Sequence, residues 1–265
     1  MTRRIKAYLL VLLLLTAFFT AGVLTQDAVR PSGGILEPPS AQHPFGTDVI
    51  GVDIYGQVSK SYFSSMLTGL AAALGAAFLG GVLGLLAGYA GGFVDTAISF
   101  VINVFLSVPQ LPIMILVGAF FGQSRANIVL IVALFSWAPI AKIIRATTLT
   151  IKSSGYLKMA ALYGAKLNYQ FRVHVFRDLL PLIVVNGLFV VGKAIIQESS
   201  LAFLGLSDPT ARSWGLMINK AISYTGIYFT DYWKWWLMTP LLCLVSVTVL
   251  LRLFAREFER QLLRS

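Results

Sequence analysis

The chain has 265 residues, of which 57% are hydrophobic and only 12% are charged. A soluble globular domain carries about 25% charged residues, so this composition argues against a water-facing surface and indicates a protein that resides in lipid. The net charge is +10, which in a soluble protein would suggest a nucleic-acid partner, but the positions of the charges favour another interpretation. The single cysteine, Cys243, excludes an intrachain disulfide and a cysteine metal site.

Six stretches approach the length of about 20 mainly apolar residues that a membrane-spanning helix needs. The first follows three basic residues, and we interpret it as an uncleaved helix because no clear small-x-small cleavage site accompanies it. The predicted spans, in chain order, are 7–24, 62–90, 93–121, 127–144, 179–206 and 235–254. The third contains Pro109 and Pro112. The sequence therefore predicts an all-α, polytopic membrane protein with six transmembrane helices and both termini on one side.

The distribution of basic residues sets that side, because Lys and Arg accumulate in cytoplasmic segments. With both termini in the cytoplasm, the inner segments hold Arg3, Arg4, Lys6, Lys142, Arg145, Lys152, Lys158, Lys166, Arg172, Arg177, Arg252, Arg256, Arg260 and Arg264. The outer segments hold Asp27, Glu37, Asp48, Asp53, Asp208 and Asp231. The outer end of the sixth span carries an aromatic belt of Tyr232, Trp233, Trp235 and Trp236. The basic excess is thus a topology signal and not a nucleic-acid patch.

Two connections are too long to be simple turns. One is external, at about 25–60, and is rich in Pro and Gly, whereas the other is cytoplasmic, at about 146–178. Segments of this length usually carry a function of their own. We therefore divide the chain into residues 1–60, an N-terminal transmembrane helix with its external segment, and residues 61–265, a five-helix transmembrane domain with the cytoplasmic loop.

The second span carries a row of glycines with a spacing of four, which places them on one helix face. The row consists of Gly80, Gly84, Gly88 and Gly92. Small residues let another helix approach closely. Two interpretations stay open, namely helix packing within one subunit and packing at the core of a pore.

The fifth span carries polar side chains at membrane depth, where ionisable groups are costly and usually face a bundle interior or a wet cavity. They are Lys193, Gln197 and Glu198. They predict either a polar lining of a translocation path or, as the alternative, a structural pair or an interfacial position of the charged ends.

No catalytic or cofactor-binding pattern is visible. His43 and His174 are the only histidines, and neither has a metal-ligand or catalytic companion at a recognisable spacing. The chain also lacks H-E-x-x-H, G-x-S-x-G and G-x-x-x-x-G-K-[ST]. We therefore expect no catalytic residues, no metal and no cofactor in this chain, and any ATP hydrolysis would take place on another polypeptide.

Four stretches, in order, carry short motifs. The first, at 43–53, is similar to H-x-F/L-G-T-D-x-x-G-R-D, with Val52 in place of arginine. The second, at 88–95, is similar to G-Y-x-G-G-x-x-D. The fourth, at 198–206, is similar to E-A-x-L-S-F-L-G-L-G and is followed by Ser213-Trp214-Gly215. Together with the third, these stretches resemble the permease subunits of the dipeptide, oligopeptide and nickel branch of bacterial ABC importers.

The third stretch lies in the cytoplasmic loop, whose mixed apolar and basic residues are compatible with a surface helix or a docking helix. The family has Y-x-E-A-A-x-x-x-G-A and then H-x-x-P. In this sequence Tyr156, Ala160, Gly164, Ala165 and His174 match. Lys158, Met159 and Arg177 replace the glutamate, an alanine and the proline. In that family the loop forms a coupling helix that sits in a cleft of the ATPase subunit. The resemblance favours a docking helix over a surface helix. It implies that ATPase coupling involves Tyr156, Lys158, Met159, Ala160, Gly164, Ala165 and His174.

The resemblance further implies the fold of a type I ABC importer permease in the cell inner (plasma) membrane. The implied partners are a second, homologous permease, two cytosolic ATPase subunits, an extracytoplasmic solute-binding protein and membrane lipid. Peptides are the expected cargo, with nickel or a metal–chelator complex as the alternative. A stand-alone secondary transporter is the competing class, but it predicts inverted repeats and charged networks in several spans, and the sequence shows neither.

Overall fold

The computed structural model describes residues 3–121, 124–155, 159, 163, 176–206 and 212–262 of the chain. These residues form helices, and their only β pairing is two isolated bridges, Pro31–Val52 and Thr47–Asp53. The helices are α1 (Arg3–Thr25), α2 (Ile54–Ala90), α3 (Gly92–Ser107), α4 (Gln110–Phe121), α5 (Arg125–Ser153), α6 (Phe176–Phe203), α7 (Trp214–Ser223) and α8 (Met238–Leu262). A 3₁₀ turn (Thr225–Tyr228) and a π-helical turn (Trp233–Leu237) lie between α7 and α8.

The six-span expectation agrees with the helices that are long and apolar enough to cross a membrane. Within the described ranges, α1, α2, α5, α6 and the continuous stretch Trp233–Leu262 each meet that requirement as one piece. The predicted third span is a bent pair of helices, because α3 and α4 meet at 83°. The described residues thus contain five unbroken candidate spans, and a sixth if the bent pair crosses as one.

The bend has a simple cause in the sequence. Pro109 has no backbone N–H and disfavours a helical conformation for the residue before it. Val108 accordingly ends α3 with φ −87° and ψ 125°, which is extended backbone. Pro112 lies in the first turn of α4, where a proline is tolerated because that turn lacks intrahelical N–H partners.

Helix α2 is the axis of the fold. It begins at Ile54 rather than near Tyr62, because Asp53 caps it by accepting a hydrogen bond from the Gly56 amide at 2.8 Å. With 37 residues it is about 55 Å long, well beyond the roughly 30 Å of a bilayer's hydrocarbon core. The proposed division at residue 60 therefore falls inside a continuous helix, and the segment between α1 and α2 is limited to residues 26–53.

The two predicted connections are therefore shorter than expected. Helix α5 continues to Ser153, past the residue 146 at which the sequence placed the start of a loop.

A short helix not predicted from the sequence, α7, follows α6, and Ser213 caps it by accepting from the Leu216 amide at 3.3 Å. The core lies where α2 packs along α5 and α6, with α1, α7 and α8 around it.

Candidate functional site

Three of the four predicted glycines lie at the contact between α2 and α5. A Cβ atom at Gly80 would lie 2.7 Å from the Trp137 carbonyl oxygen, one at Gly84 would lie 2.5 Å from that of Ala141, and one at Gly88 would lie 2.6 Å from Thr148 Cβ. The two backbones are thus as close as glycine permits. Of the two interpretations left open, this geometry favours packing within one subunit for these three residues.

Gly92 does not belong to that row. It is the first residue of α3, its φ is +53°, and a Cβ there would meet nothing within 4 Å. Together with Gly91, at φ +70°, it forms the sharp turn between α2 and α3. Left-handed backbone of this kind favours glycine. The conformation of the turn therefore explains the glycine at this position, whereas close packing between helices does not.

The polar side chains of α6 reach two different helices. Glu198 is buried and accepts a hydrogen bond from Ser65 Oγ of α2 at 2.7 Å. Gln197 is also buried, and its Oε1 accepts from Gln110 Nε2, at the start of α4, at 3.3 Å. The bend between α3 and α4 brings Gln110 to this position. The result is a polar layer inside the bundle that joins α2, α4 and α6.

Lys193 is separate from this layer. Its side chain is half-buried, and within the described part of the chain no carboxylate oxygen lies within 4.0 Å of its ammonium group. Five helical positions separate it from Glu198, which turns the two side chains by about 140° around the axis. The neighbouring Gly192 packs near Arg252 of α8, with 3.9 Å from its Cβ position to Arg252 Cγ. An intrahelical pair of Lys193 with Glu198 is therefore not formed.

The Ser213-Trp214-Gly215 stretch fixes α7 to α2 and α6. Trp214 is fully buried, and its indole Nε1 donates to the Val58 carbonyl oxygen of α2 at 3.1 Å. A Cβ at Gly215 would overlap the Ser199 carbonyl oxygen, one residue beyond Glu198. The sequence marked these three residues as a motif but gave them no role, because the groups they contact are far away in the chain.

The N-terminal end of α2 is held by buried polar contacts with the 26–53 segment. His43 Nδ1 lies 2.7 Å from Asp53 Oδ2, and Gln57 Nε2 donates to Asp48 Oδ2 at 2.7 Å. All four side chains are at most 7% exposed. The first motif stretch thus folds the segment onto the helix start, and the structure gives His43 a carboxylate partner that the sequence did not predict.

The C-terminal end of α2 is held by half-exposed charges. Arg145 of α5 forms a two-pronged ion pair with Asp95 of α3, in which Nη2 donates to Oδ2 at 2.7 Å and Nε donates to Oδ1. Lys152 Nζ donates to the Tyr89 carbonyl oxygen at 2.7 Å. Asp95 and Tyr89 belong to the second motif stretch, which was the available signal for these contacts.

Of the predicted coupling residues, the structure describes Met159, which is 50% exposed and whose carbonyl oxygen accepts from the Tyr163 amide at 3.0 Å. Tyr163 itself is 84% exposed. The other predicted coupling residues, Tyr156, Lys158, Ala160, Gly164, Ala165 and His174, lie outside the described residues.

Comparison with known proteins adds independent information. Residues 80–264 match the family model described as "Binding-protein-dependent transport system inner membrane component". The chain is 31% identical over 253 residues, 94% of this chain and 83% of the relative, to the probable D,D-dipeptide transport system permease protein DdpC of Escherichia coli K12.

Two further relatives carry similar names. The dipeptide transport system permease protein DppC of Bacillus subtilis is 32% identical over 186 residues, 70% of this chain and 58% of that protein. The glutathione transport system permease protein GsiD of Escherichia coli O6:K15:H31 is 33% identical over 218 residues, 81% of this chain and 72% of that protein.

Proposed function

Because the chain belongs to the family of binding-protein-dependent transport system inner membrane components, we propose that it is a pore-forming subunit of an ATP-driven importer for short peptides. The observation that carries the proposal is the agreement between this membership and three relatives named for D,D-dipeptides, dipeptides and glutathione. These names share a small peptide or peptide-like molecule. The family is one of transport permeases and not of enzymes, so the chain would supply a path and no covalent chemistry.

Membership of the family implies an ATPase partner and a binding protein. We propose that the complete machine has two ATPase subunits and pairs this chain with a second, homologous permease, the cargo passing between the two. The chain itself would bind no cofactor, since ATP would be used by its partners. Nucleic acid has no place in this assembly, and lipid would cover the exposed apolar residues of α1, among them Leu10, Leu13 and Leu14.

The proposed orientation places both termini in the cytoplasm. Six crossings, with α3 and α4 counted as one, bring the two ends of the chain to the same side. Basic residues then collect on that side: Lys142, Arg145 and Lys152 in the last turns of α5, and Arg252, Arg256 and Arg260 in those of α8. The 26–53 segment, with four carboxylates and one arginine, would face outward. The positive-inside rule supports this arrangement.

The segment after α5 is the proposed site of ATPase coupling. It follows the last residue of α5, Ser153, on the basic side of the molecule. Of its described side chains, Met159 and Tyr163 are exposed as a docking surface requires. Tyr156, Lys158, Met159, Ala160, Gly164, Ala165 and His174 would form the contact. Lys158 would meet a cleft that differs in charge from one that receives the usual glutamate.

Lys193, Gln197 and Glu198 are proposed to line the translocation path, with Lys193 facing an anionic group such as a peptide carboxylate. Gln197 and Glu198 already have protein partners, so their contribution would be to fix the path, while Lys193 has no carboxylate partner among the described side chains. A half-buried ammonium group without a counter-ion is costly in a membrane, and a passing carboxylate would lower that cost.

The decisive experiment uses the complete transporter, with its ATPases and second permease, in proteoliposomes. Uptake of a labelled dipeptide should require both internal ATP and the binding protein. Nickel or a metal chelate taken up in place of peptide would correct the cargo, and uptake that persists without the ATPases would reject the importer.

Lys193→Met tests the path. Dipeptide uptake should fall, while assembly and basal ATPase activity stay as in the unaltered protein. Lys220→Met, at an exposed position of α7, is the matched control and should leave uptake unchanged. Normal uptake by the Lys193 variant would reject a role in the path.

A further inference from the structure

The turn between α2 and α3 is attached to one neighbour, α5, by three contacts of different kinds. Gly88 places the end of α2 against Thr148, with 2.9 Å from its Cβ position to the Arg145 carbonyl oxygen. The Lys152 ammonium group reaches the Tyr89 carbonyl oxygen and lies 5.7 Å from the centre of the Tyr89 ring. Arg145 forms an ion pair with Asp95, which lies in the first turn of α3. The contacts therefore lie on both sides of Gly91, in the last turn of α2 and in the first turn of α3.

The Gly91–Gly92 link has open space beside it. A Cβ atom at Gly91 or Gly92 would meet nothing within 4 Å among the residues that the structure describes. Phe93, the second residue of α3, is 87% exposed. Further along, α3 packs on α5 through Ile102, which lies in an apolar cluster with Trp137 and Ala141. At the first turn of α3 the ion pair adds a directed polar contact with α5, and Ser99 Oγ donates a hydrogen bond to Asp95 Oδ1 at 3.3 Å.

The ion pair has the geometry that positions groups well. A guanidinium that donates two parallel hydrogen bonds to one carboxylate fixes direction as well as distance. The Asp95 and Arg145 side chains are 18% and 31% exposed. Asp95 also lies in the first turn of α3, where the helix dipole favours a carboxylate.

Helix α5 connects this pair to the segment proposed for ATPase coupling. Arg145 and Lys152 lie in the last turns of α5, which ends at Ser153. The predicted coupling segment starts two residues further on, at Gly155. A continuous helix moves as a rigid element, so a displacement of the coupling segment would reach Arg145 directly.

We propose that Asp95 and Arg145 are positioning residues of the transport cycle, whose ion pair makes the α2–α3 turn follow α5 when the coupling segment moves. This inference rests on the proposed function. Through the turn, the motion reaches α3 and, beyond the bend at Pro109, Gln110 and the polar layer at Gln197. The pair thereby joins the motor side of the molecule to the interior of the bundle.

The test measures coupling rather than activity alone. Complete transporter is reconstituted with Asp95→Asn, with Arg145→Gln, or with the exchange Asp95→Arg/Arg145→Asp, and cargo uptake and ATP hydrolysis are recorded on the same vesicles. Each single variant should lose about tenfold in cargo moved per ATP hydrolysed, and the exchange should recover part of this loss because directly paired charges are non-additive. Lys142→Gln, an exposed basic residue of the same helix, is the matched control and should retain the ratio of the unaltered protein.

Several outcomes would overturn the inference. One is an unchanged ratio in both single variants, and another is a parallel fall of uptake and hydrolysis, which a merely structural pair would give. A third is an exchange variant no better than the single ones. The unaltered transporter, measured beside them, separates this result from the proposed function, because its ATP-dependent uptake stands or fails irrespective of the variants.

Discussion

The two ends of α2 are fastened by different chemistry. At the N-terminal end, His43, Asp48, Asp53 and Gln57 form hydrogen bonds away from solvent. At the C-terminal end, the Asp95–Arg145 pair and the Lys152 contact lie in partly exposed positions. Buried polar groups are expensive to leave without partners, whereas ion pairs that water can reach contribute less to stability.

This difference suggests that the two ends of α2 have different mechanical roles. The proposed external end is the fixed end of the helix, because separating the 26–53 segment from α2 would leave several buried polar groups without hydrogen-bond partners. The proposed cytoplasmic end depends on fewer, partly exposed contacts, whose loss costs less stability, although the two-pronged Asp95–Arg145 pair still fixes the direction of its contact. This end lies beside the segment that would contact the ATPase. The following substitutions test that contrast, from the largest expected effect on stability to the smallest.

Asp53→Ala should be the most damaging change at the fixed end. It removes the cap of α2 and leaves His43 without its buried carboxylate, and the two losses together should lower the free energy of unfolding by about 3 kcal/mol. Denaturation in mixed micelles, followed by circular dichroism, measures this. Asp27→Ala, which also removes a carboxylate that accepts from backbone amides but at an exposed site, should cost well under half as much. Equal costs would contradict the assignment of a fixed end.

Gly88→Ala tests the close approach between α2 and α5 next to the ion pair. The added methyl group would meet Thr148 Cβ at 2.6 Å and the Arg145 carbonyl oxygen at 2.9 Å, and overpacking of this kind should cost roughly 1–2 kcal/mol after the better helix propensity of alanine is included. Gly81→Ala is the control, since it would meet only the tip of Ile183 at 3.0 Å. A Gly88 variant as stable as the Gly81 variant would show that the helices can separate there without penalty.

Ser65→Ala probes the polar layer between the two ends. It removes the hydroxyl that donates to Glu198, so we expect a loss of about 1 kcal/mol, in keeping with interhelical hydrogen bonds in membranes. Ser64→Ala is the neighbouring control, because Ser64 contacts Arg125 in an exposed position. The two variants should differ in their denaturation midpoints. Identical midpoints would show that the hydrogen bond between Ser65 and Glu198 is dispensable for stability.

Lys152→Met should have the smallest effect on stability, below about 0.5 kcal/mol, because water can replace an exposed donor to the Tyr89 carbonyl oxygen. The same denaturation measurement decides it. A loss as large as that of Asp53→Ala would show that the cytoplasmic end is as rigidly fastened as the external one, and the contrast between the two ends would disappear.

The sequence predicted the number of spans but misjudged where several helices begin and end. Residues 54–61 include Gln57, Ser59 and Lys60, which lower the hydropathy of the stretch. Helix α2 nevertheless starts at Ile54, because Asp53 caps it and Asp48 accepts a hydrogen bond from Gln57. The prolines of the third span were visible in the sequence. The bend itself was not predicted, because hydropathy averaged over a window is the same for a bent helix and for a straight one. α7, with ten residues, is too short to register as a span.

For the candidate site, the sequence identified polar residues without their partners. Gln197 and Glu198 stood out in an apolar stretch, but Gln110 lies 87 positions away in the chain and Ser65 lies 133 positions away. Neither distance has a local signal. The coupling residues, Met159 among them, were found from a motif alone, and their role remains a prediction.

The sequence by itself determined that the chain resides in a membrane, that it is helical and that it resembles a family of importer permeases, because composition, hydropathy and short motifs are local properties of the chain. Only the tertiary structure decided which glycines face α5, that Asp95 pairs with Arg145, and that Lys193 and Glu198 do not pair. Those outcomes depend on how each helix is rotated about its own axis and at what depth it meets its neighbours. Packing of the whole bundle fixes rotation and depth, and no stretch of sequence encodes them alone.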